Sequence, residues 1–196
     1  MQSAVRTNRD RTETTRAALL AAARRLFVEK GYAETSTPEI VAAAGITRGA
    51  LYHHYKDKRD LFRAVIAEEA RQVAEAIEGR APALLAPVEA LIAGSAAYLD
   101  AMREPGRTRL LLIEAPAVLG MAEIQALDEA NAARTLREGL EAALAVSAEG
   151  TDLSLAAMTE LLSAAFDRAA LAIDAGANAD DYGLAISVLI RRLVLN

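Results

Sequence analysis

The sequence predicts an all-α protein, and three observations carry that prediction. Alanine is abundant while aromatic residues are only 4% of the chain, a composition suited to closely packed helices. Apolar residues recur at spacings of three and four along most of the 196 residues, the period of a helix face. Runs of β-branched residues are few, so strands have little support. A hydrophobic content of 53% excludes a largely disordered protein, and the length permits one large domain or two small ones.

Residues 1–12, with Arg6, Arg9 and Arg11 among polar neighbours, read as a flexible arm. A first helix is expected from about Glu13 to Lys30, where Leu19, Ala23, Leu26 and Phe27 share one face. Gly31 stops it, and Tyr32 can fold back on it. Thr37 is the expected N-cap of a second helix, with Pro38 in the first turn, where a missing N–H costs nothing. Ile40, Val41 and Ala44 form its apolar face, Gly45 ends it, and Thr47 caps a third helix over about Arg48 to Tyr55. Asp57 caps a fourth, from Lys58 to about Glu78, with Leu61, Phe62, Val65, Ile66, Val73 and Ile77 as its apolar positions.

Beyond Gly79-Arg80-Ala81-Pro82 the punctuation is still visible. Helices are expected over about Leu84 to Arg103, bent near Pro87, and over Thr108 to Glu114, stopped ahead of Pro116. Another runs from about Val118 to Val146. Asp152 caps a helix carrying a stripe from Leu155 to Ile173. The last helix, about Asp181 to Val194, is apolar on most sides and must bury itself in a core or against another chain. About nine helices result.

Several functional classes are set aside by residue type. No cysteine is present, which removes disulfides and thiolate metal sites. The two histidines, His53 and His54, are adjacent on a helix and point about 100° apart, a poor start for a metal site or catalytic pair. Neither a Gly-x-Ser-x-Gly elbow nor a glycine-rich phosphate loop occurs. No catalytic residue, metal or cofactor is therefore expected. Residues 1–16 lack the apolar core of a signal peptide. Between Ala81 and Leu99, Pro82, Pro87 and Gly94 argue against a membrane span. A cytoplasmic protein without a membrane partner is expected.

Charge is unevenly distributed. Residues 1–60 hold 11 Lys and Arg against 7 Asp and Glu, a net +4, whereas residues 61–196 hold 11 against 20, a net −9. A cationic N-terminal part on an acidic body suits contact with a polyanion through the N-terminal part alone. Uneven solvated charge is the plainer alternative. In the cationic part, two short helices hinged at Gly45 carry the spacing of a helix-turn-helix, and the second presents Arg48, Tyr52, His53 and His54.

From Leu19 to Phe62 the chain resembles the DNA-binding domain of the TetR family of transcriptional repressors. The resemblance rests on Leu19-Leu20, Ala22-Ala23, Leu26-Phe27, Gly31-Tyr32, Thr37, Ile40, Ala43-Ala44-Gly45-Ile46-Thr47, Gly49, Leu51-Tyr52-His53-His54-Tyr55, Lys58 and Leu61. It implies an N-terminal three-helix DNA-binding domain over residues 1–57, a connecting helix over 58–79, and a larger helical effector-binding and dimerisation domain over 80–196. The third helix would lie in the major groove, which carries the fuller base code. Arg48 is the candidate for guanine, Gly49 permits close approach, Ala50 suits a thymine methyl, and His53 is a second base-edge candidate. Thr37, Thr47, Tyr52, His54 and Lys58 are candidate phosphate holders. Ala50 stands where the family usually has a hydroxyl residue, and Tyr55 where it usually has phenylalanine. Arg6, Arg9 and Arg11 either reach DNA from the arm or remain solvated.

The expected partners are a double-stranded DNA operator, a small-molecule effector and a second copy of the chain. Two recognition helices held one DNA turn apart would read a palindrome. Leu155, Met158, Leu162, Ala165 and Ala169, with Ile186, Leu189, Ile190 and Leu193 on the final helix, are the candidate homodimer interface; completing the monomer's own core is the alternative. The resemblance further implies an effector pocket, for which Tyr98, Met102, Leu111, Met121, Ile124 and Phe166 are the candidate lining, suited to a hydrophobic or amphipathic ligand. A helical small-molecule carrier or enzyme whose helix-turn-helix is only structural is the competing reading. A dimerising interaction module is a third.

Overall fold

The computed structural model of the chain describes residues 8–80, 85–146 and 153–194, with side chains from Thr12 onward. Every regular element among them is helical, as the all-α expectation requires. The chain divides into two compact units, residues 1–67 and 68–196. The division falls inside the fourth helix, within the stretch 58–79 expected to connect the two domains.

In the N-terminal unit, α1 (Asn8–Glu34), α2 (Thr37–Ala44), α3 (Arg48–His54) and the first part of α4 (Lys58–Arg80) surround one core. α1 begins at Asn8, so Arg9 and Arg11 belong to a helix and not to an arm; Arg6 lies outside the described residues. Gly31 leaves the helical region at φ 83° and ψ 165°, a conformation that asks for glycine. Beyond it, the Tyr32 ring folds back to 5.8 Å from Phe27 and 4.8 Å from Phe62, which meets Phe27 edge-on at 5.1 Å. Leu19, Ala23, Ile40, Leu51 and Leu61 are fully buried in the same unit.

The cap of α2 is Ser36, one residue before the expected Thr37. Ser36 Oγ accepts the Glu39 N–H, and Glu39 Oε2 accepts the Ser36 N–H at 2.9 Å, a reciprocal capping box. Lys30 Nζ also reaches Glu39 at 2.5 Å. The hydrogen bonds from Lys30 and Ser36 hold that carboxyl down at about 2. Gly45, at φ 67° and ψ 29°, ends α2 in the left-handed region. Thr47 and Asp57 cap α3 and α4 as expected, accepting the Ala50 and Asp60 N–H groups at 3.2 and 2.8 Å.

In the C-terminal unit, α5 (Pro87–Met102) starts at Pro87 instead of bending there, since proline suits the first turn. Next come α6 (Arg107–Arg109), a π-helical turn (Leu110–Glu114) and α7 (Ala115–Leu119). The expected stop ahead of Pro116 does not occur. The Ala115 N–H reaches back five residues to the Leu110 carbonyl, and the wider turn admits the proline into the first turn of α7. The single helix expected over Val118–Val146 is split by Gly120 and Asn131 into α8 (Met121–Glu129) and α9 (Ala132–Ala145). α10 (Leu155–Asp174) is capped by Ser154; Asp152, the expected cap, lies outside the described residues. α11 covers Ala179–Val194.

The core of this unit gathers Leu91, Tyr98, Leu99 and Met102 of α5, Leu140 of α9, Leu162 and Phe166 of α10, and Ile186 and Ile190 of α11. Arg107 is buried beside Glu69 of α4. Its Nε lies 2.9 Å from Glu69, and its other nitrogens donate to Gln72 and the Ala101 carbonyl, both at 2.7 Å. A buried pair so fully hydrogen-bonded avoids leaving either charge orphaned. No described helix is long and apolar enough to cross a membrane.

Candidate nucleic-acid interface and small-molecule cavity

The shape of α3 follows from which residues it buries. Leu51 and Tyr55, four apart, turn into the core of the N-terminal unit, and this rotates Arg48, Gly49, Tyr52 and His53 outward. Tyr52 is 43% exposed and so is not part of the core. The Arg48 guanidinium sits 5.5 Å from the centre of the Tyr52 ring. Hydrogen bonds from Thr37 and then Arg48 hold the Tyr52 phenol below its ordinary pKa. Thr37, Arg48 and Tyr52 thus form one linked polar surface across α2 and α3.

Gly49 has no structural need to be glycine. A Cβ there would meet only Thr47 Oγ1, at 3.9 Å. Ala50 is half-buried, and its N–H is taken by the cap. Thr47 accepts that bond and keeps its hydroxyl proton to donate. His53 and His54 lie side by side with ring centres 5.3 Å apart. Burial, then the charges of His53 and Arg16, push the His54 pKa down. No group of three potential metal ligands occurs among the described residues.

Lys58 departs from its expected place. Its ammonium donates to the carbonyls of Tyr32, Thr35 and Ala33 at 2.8, 2.9 and 3.4 Å and stands 4.2 Å from the Tyr32 ring centre. An ammonium has three donors, and all are directed at the last residues of α1 and at Thr35 just beyond it. Asp57 and Asp60 meanwhile take the N–H groups of Asp60 and Lys56 at the start of α4. The residue braces the helix-turn-helix from behind.

The C-terminal unit holds a half-open cavity of about 300 Å³. Ile77 and Glu78 of α4, Leu91, Gly94, Ser95 and Tyr98 of α5, Thr135, Leu136, Glu138 and Gly139 of α9, and Ser163 and Phe166 of α10 line it. Of the six expected lining residues, Tyr98 and Phe166 are there, with ring centres 5.4 Å apart. Met102 instead belongs to the packed core, Met121 is 68% exposed, and Leu111 and Ile124 are half-buried elsewhere. Small residues made the cavity hard to foresee. Gly94 and Gly139 sit where a Cβ would come within 3.2 Å of Ile77 and 3.0 Å of Leu91.

Both parts of the chain match known proteins. Residues 19–65 match the bacterial regulatory proteins of the tetR family. Residues 88–195, more than half of the chain, match the Tetracyclin repressor-like C-terminal domain. The chain belongs to the TetR family. A TetR-family transcriptional regulator from Pectobacterium atrosepticum has a similar structure, 30% identical with a TM-score of 0.68 and 96% of each chain covered. The transcriptional repressor BepR of Brucella suis is 44% identical over 61 residues, and the regulator AcrR of Shigella flexneri 47% over 60. Each match covers 31% of this chain but only 29% and 28% of those proteins. These relatives are regulators of transcription, not enzymes.

In this TetR-family chain the residues expected at the dimer interface are placed mostly inward. Met158, Leu162, Ala169, Ile186 and Ile190 are buried in the unit's own core, and Leu155, Ala165 and Leu193 are half-buried; only Leu189 is exposed. The stripe at alternating three and four marks the face a helix turns to its own core. The outward face of α10 and α11 carries Leu161, Leu184, Val188 and Leu189, exposed by 72, 67, 44 and 54%.

Proposed function

We propose that this chain is a ligand-responsive homodimeric repressor that binds a palindromic operator and is released by a small hydrophobic or amphipathic effector. The observation that carries the DNA-binding reading is α3, a capped helix holding Arg48, Gly49, Tyr52 and His53 in solvent over a braced core. In this reading Arg48 and His53 address base edges, Gly49 and Ala50 allow close approach, and Thr37, Thr47, Tyr52 and His54 hold phosphates. Lys58 supports the site without touching the DNA.

Dimerisation rests on Leu161, Leu184, Val188 and Leu189, large apolar residues left in water on adjoining helices. A second copy would cover them and supply the second recognition helix. The cavity between α4, α5, α9 and α10 supports the effector reading. A ligand releases the operator only by binding the DNA-incompetent conformation more tightly, because equal binding to both shifts nothing.

Footprinting upstream of the protein's own gene tests the whole. The expected result is protection of two half-sites one helical turn apart. Binding that is salt-sensitive but shows no preferred site would overturn it. Sedimentation of Leu184→Glu/Val188→Glu tests the interface: the variant should run as a folded monomer, and an intact dimer would remove this face from the assembly.

A further inference from the structure

The cavity is bordered by more negative than positive charge. Tyr98 and Ser163, both in its wall, each hydrogen-bond a carboxylate. The Tyr98 hydroxyl donates to Asp167 Oδ1 at 2.6 Å, and the Ser163 hydroxyl to Asp128 Oδ2 at 3.2 Å. Neither carboxylate forms an ion pair with any Lys or Arg among the described residues, and each is partly buried. Burial and the neighbouring charge of Asp128 raise Asp167 to about 6, against the pull of the Tyr98 hydrogen bond. Burial also raises Asp128.

At the edge of the cavity stand Glu78 and Glu138, both bound to a single Arg134 at 2.6 and 3.2 Å. Four carboxylates are thus met by one guanidinium. Most of the remaining wall is apolar, provided by Ile77, Leu91, Leu136 and Phe166, and the hydroxyls of Ser95 and Thr135 are turned to backbone carbonyls. Apolar walls draw a hydrocarbon body, and unpaired, partly desolvated carboxylates favour a positive group far more than they would in water.

We propose that the cavity selects an amphipathic organic cation, with its charged group at the Tyr98–Ser163 wall in front of Asp167 and Asp128. This rests on the reading of the cavity as the effector site. A cation there supplies the charge that the two aspartates lack, and the aromatic faces of Tyr98 and Phe166 favour a quaternary ammonium further. An organic anion of the same shape is disfavoured by the same carboxylates.

Three ligands with one ten-carbon chain test it on the full-length protein at pH 7.5, below their micelle concentrations: decyltrimethylammonium, decanol and decanoate. Titration calorimetry should show the cation binding at least about tenfold tighter than the anion, with the alcohol between them. Asp128→Asn/Asp167→Asn should bring the cation down to the level of the alcohol. Arg134→Gln should tighten the cation several-fold by freeing Glu78 and Glu138, an effect in the opposite direction to any loss of fold. Decanoate binding as well as the cation, or a preference unchanged in the aspartate variant, overturns the proposal. Equal binding of all three overturns the charge selection and leaves the effector site standing. No binding by any of them overturns both.

Discussion

The ammonium of Lys58 lies 4.2 Å from the centre of the Tyr32 ring and 2.8 Å from the carbonyl oxygen of the same residue. It therefore closes the end of α1 onto the start of α4. Lys58→Met should lower the stability of the N-terminal unit by about 1–3 kcal/mol through the hydrogen bonds lost at these carbonyls. Faster amide exchange around Thr35 would show it. If the site then refolds on DNA, the slope of log affinity against log salt should match the wild type. A direct phosphate contact would lower that slope by about 1.

In the proposed DNA-binding surface, Arg48 and Gly49 have separate roles, reading and approach. Arg48→Ala should relax preference at one base pair per half-site, at a cost of about 1–3 kcal/mol for the preferred sequence. Gly49→Ala has open space for its Cβ and should leave thermal stability unchanged or slightly raised. It should nevertheless weaken operator binding, because the added methyl faces outward. Affinities across a panel of altered operators, set beside melting curves, distinguish the two.

Tyr55 is 6% exposed and its hydroxyl has no hydrogen-bond partner among the described residues. An unsatisfied buried hydroxyl is costly. Tyr55→Phe should accordingly stabilise the protein by about 1 kcal/mol without altering DNA affinity, as read from chemical denaturation and operator binding.

Asp167 faces Tyr98 from α5 and Asp128 from α8. Its carboxyl titrates at about 6 in the folded chain against an ordinary 3.8, so the folded state holds the proton more tightly than the unfolded one. Its contribution to stability is thus most favourable below pH 4 and is lost as pH rises through about 6. Asp167→Asn keeps an acceptor for Tyr98 and removes the charge. Its melting temperature should gain on the wild type between pH 4.5 and 7.5, by a few degrees (about 2–4 °C per kcal/mol), and the gap should be flat above that.

The helices of the N-terminal unit and the outward face of α3 were largely legible because local chemistry settles them. Gly31, Gly45, Thr47 and Asp57 act within a few residues of where they stand. The Ser36 cap was also legible, since Ser36 and Glu39 have the spacing of a capping box; the neighbouring threonine and proline drew attention one residue too far. Lys58 was not, because its partners lie 23 to 26 residues away and nothing in the local pattern announces them. For the proposed dimer face, periodicity marked the buried side of α10, while the outward Leu161 falls between its positions. For the cavity, Ser95, Gly94 and Gly139 carry no pattern of their own, and only the packing of α5 on α9 turns them into a space.

The π-helical turn at Leu110–Glu114 amounts to one residue more than an α-helix would use over the same rise. Deleting a single residue there would let a regular α-helix cover the same rise and leave the faces of α7 nearly where they are. Ala115 and Leu119, now buried, would keep their places while the backbone gained in regularity. The turn therefore absorbs a change of chain length by one, and a one-residue gap in a sequence aligned here would mark the same surface carried on a plainer helix.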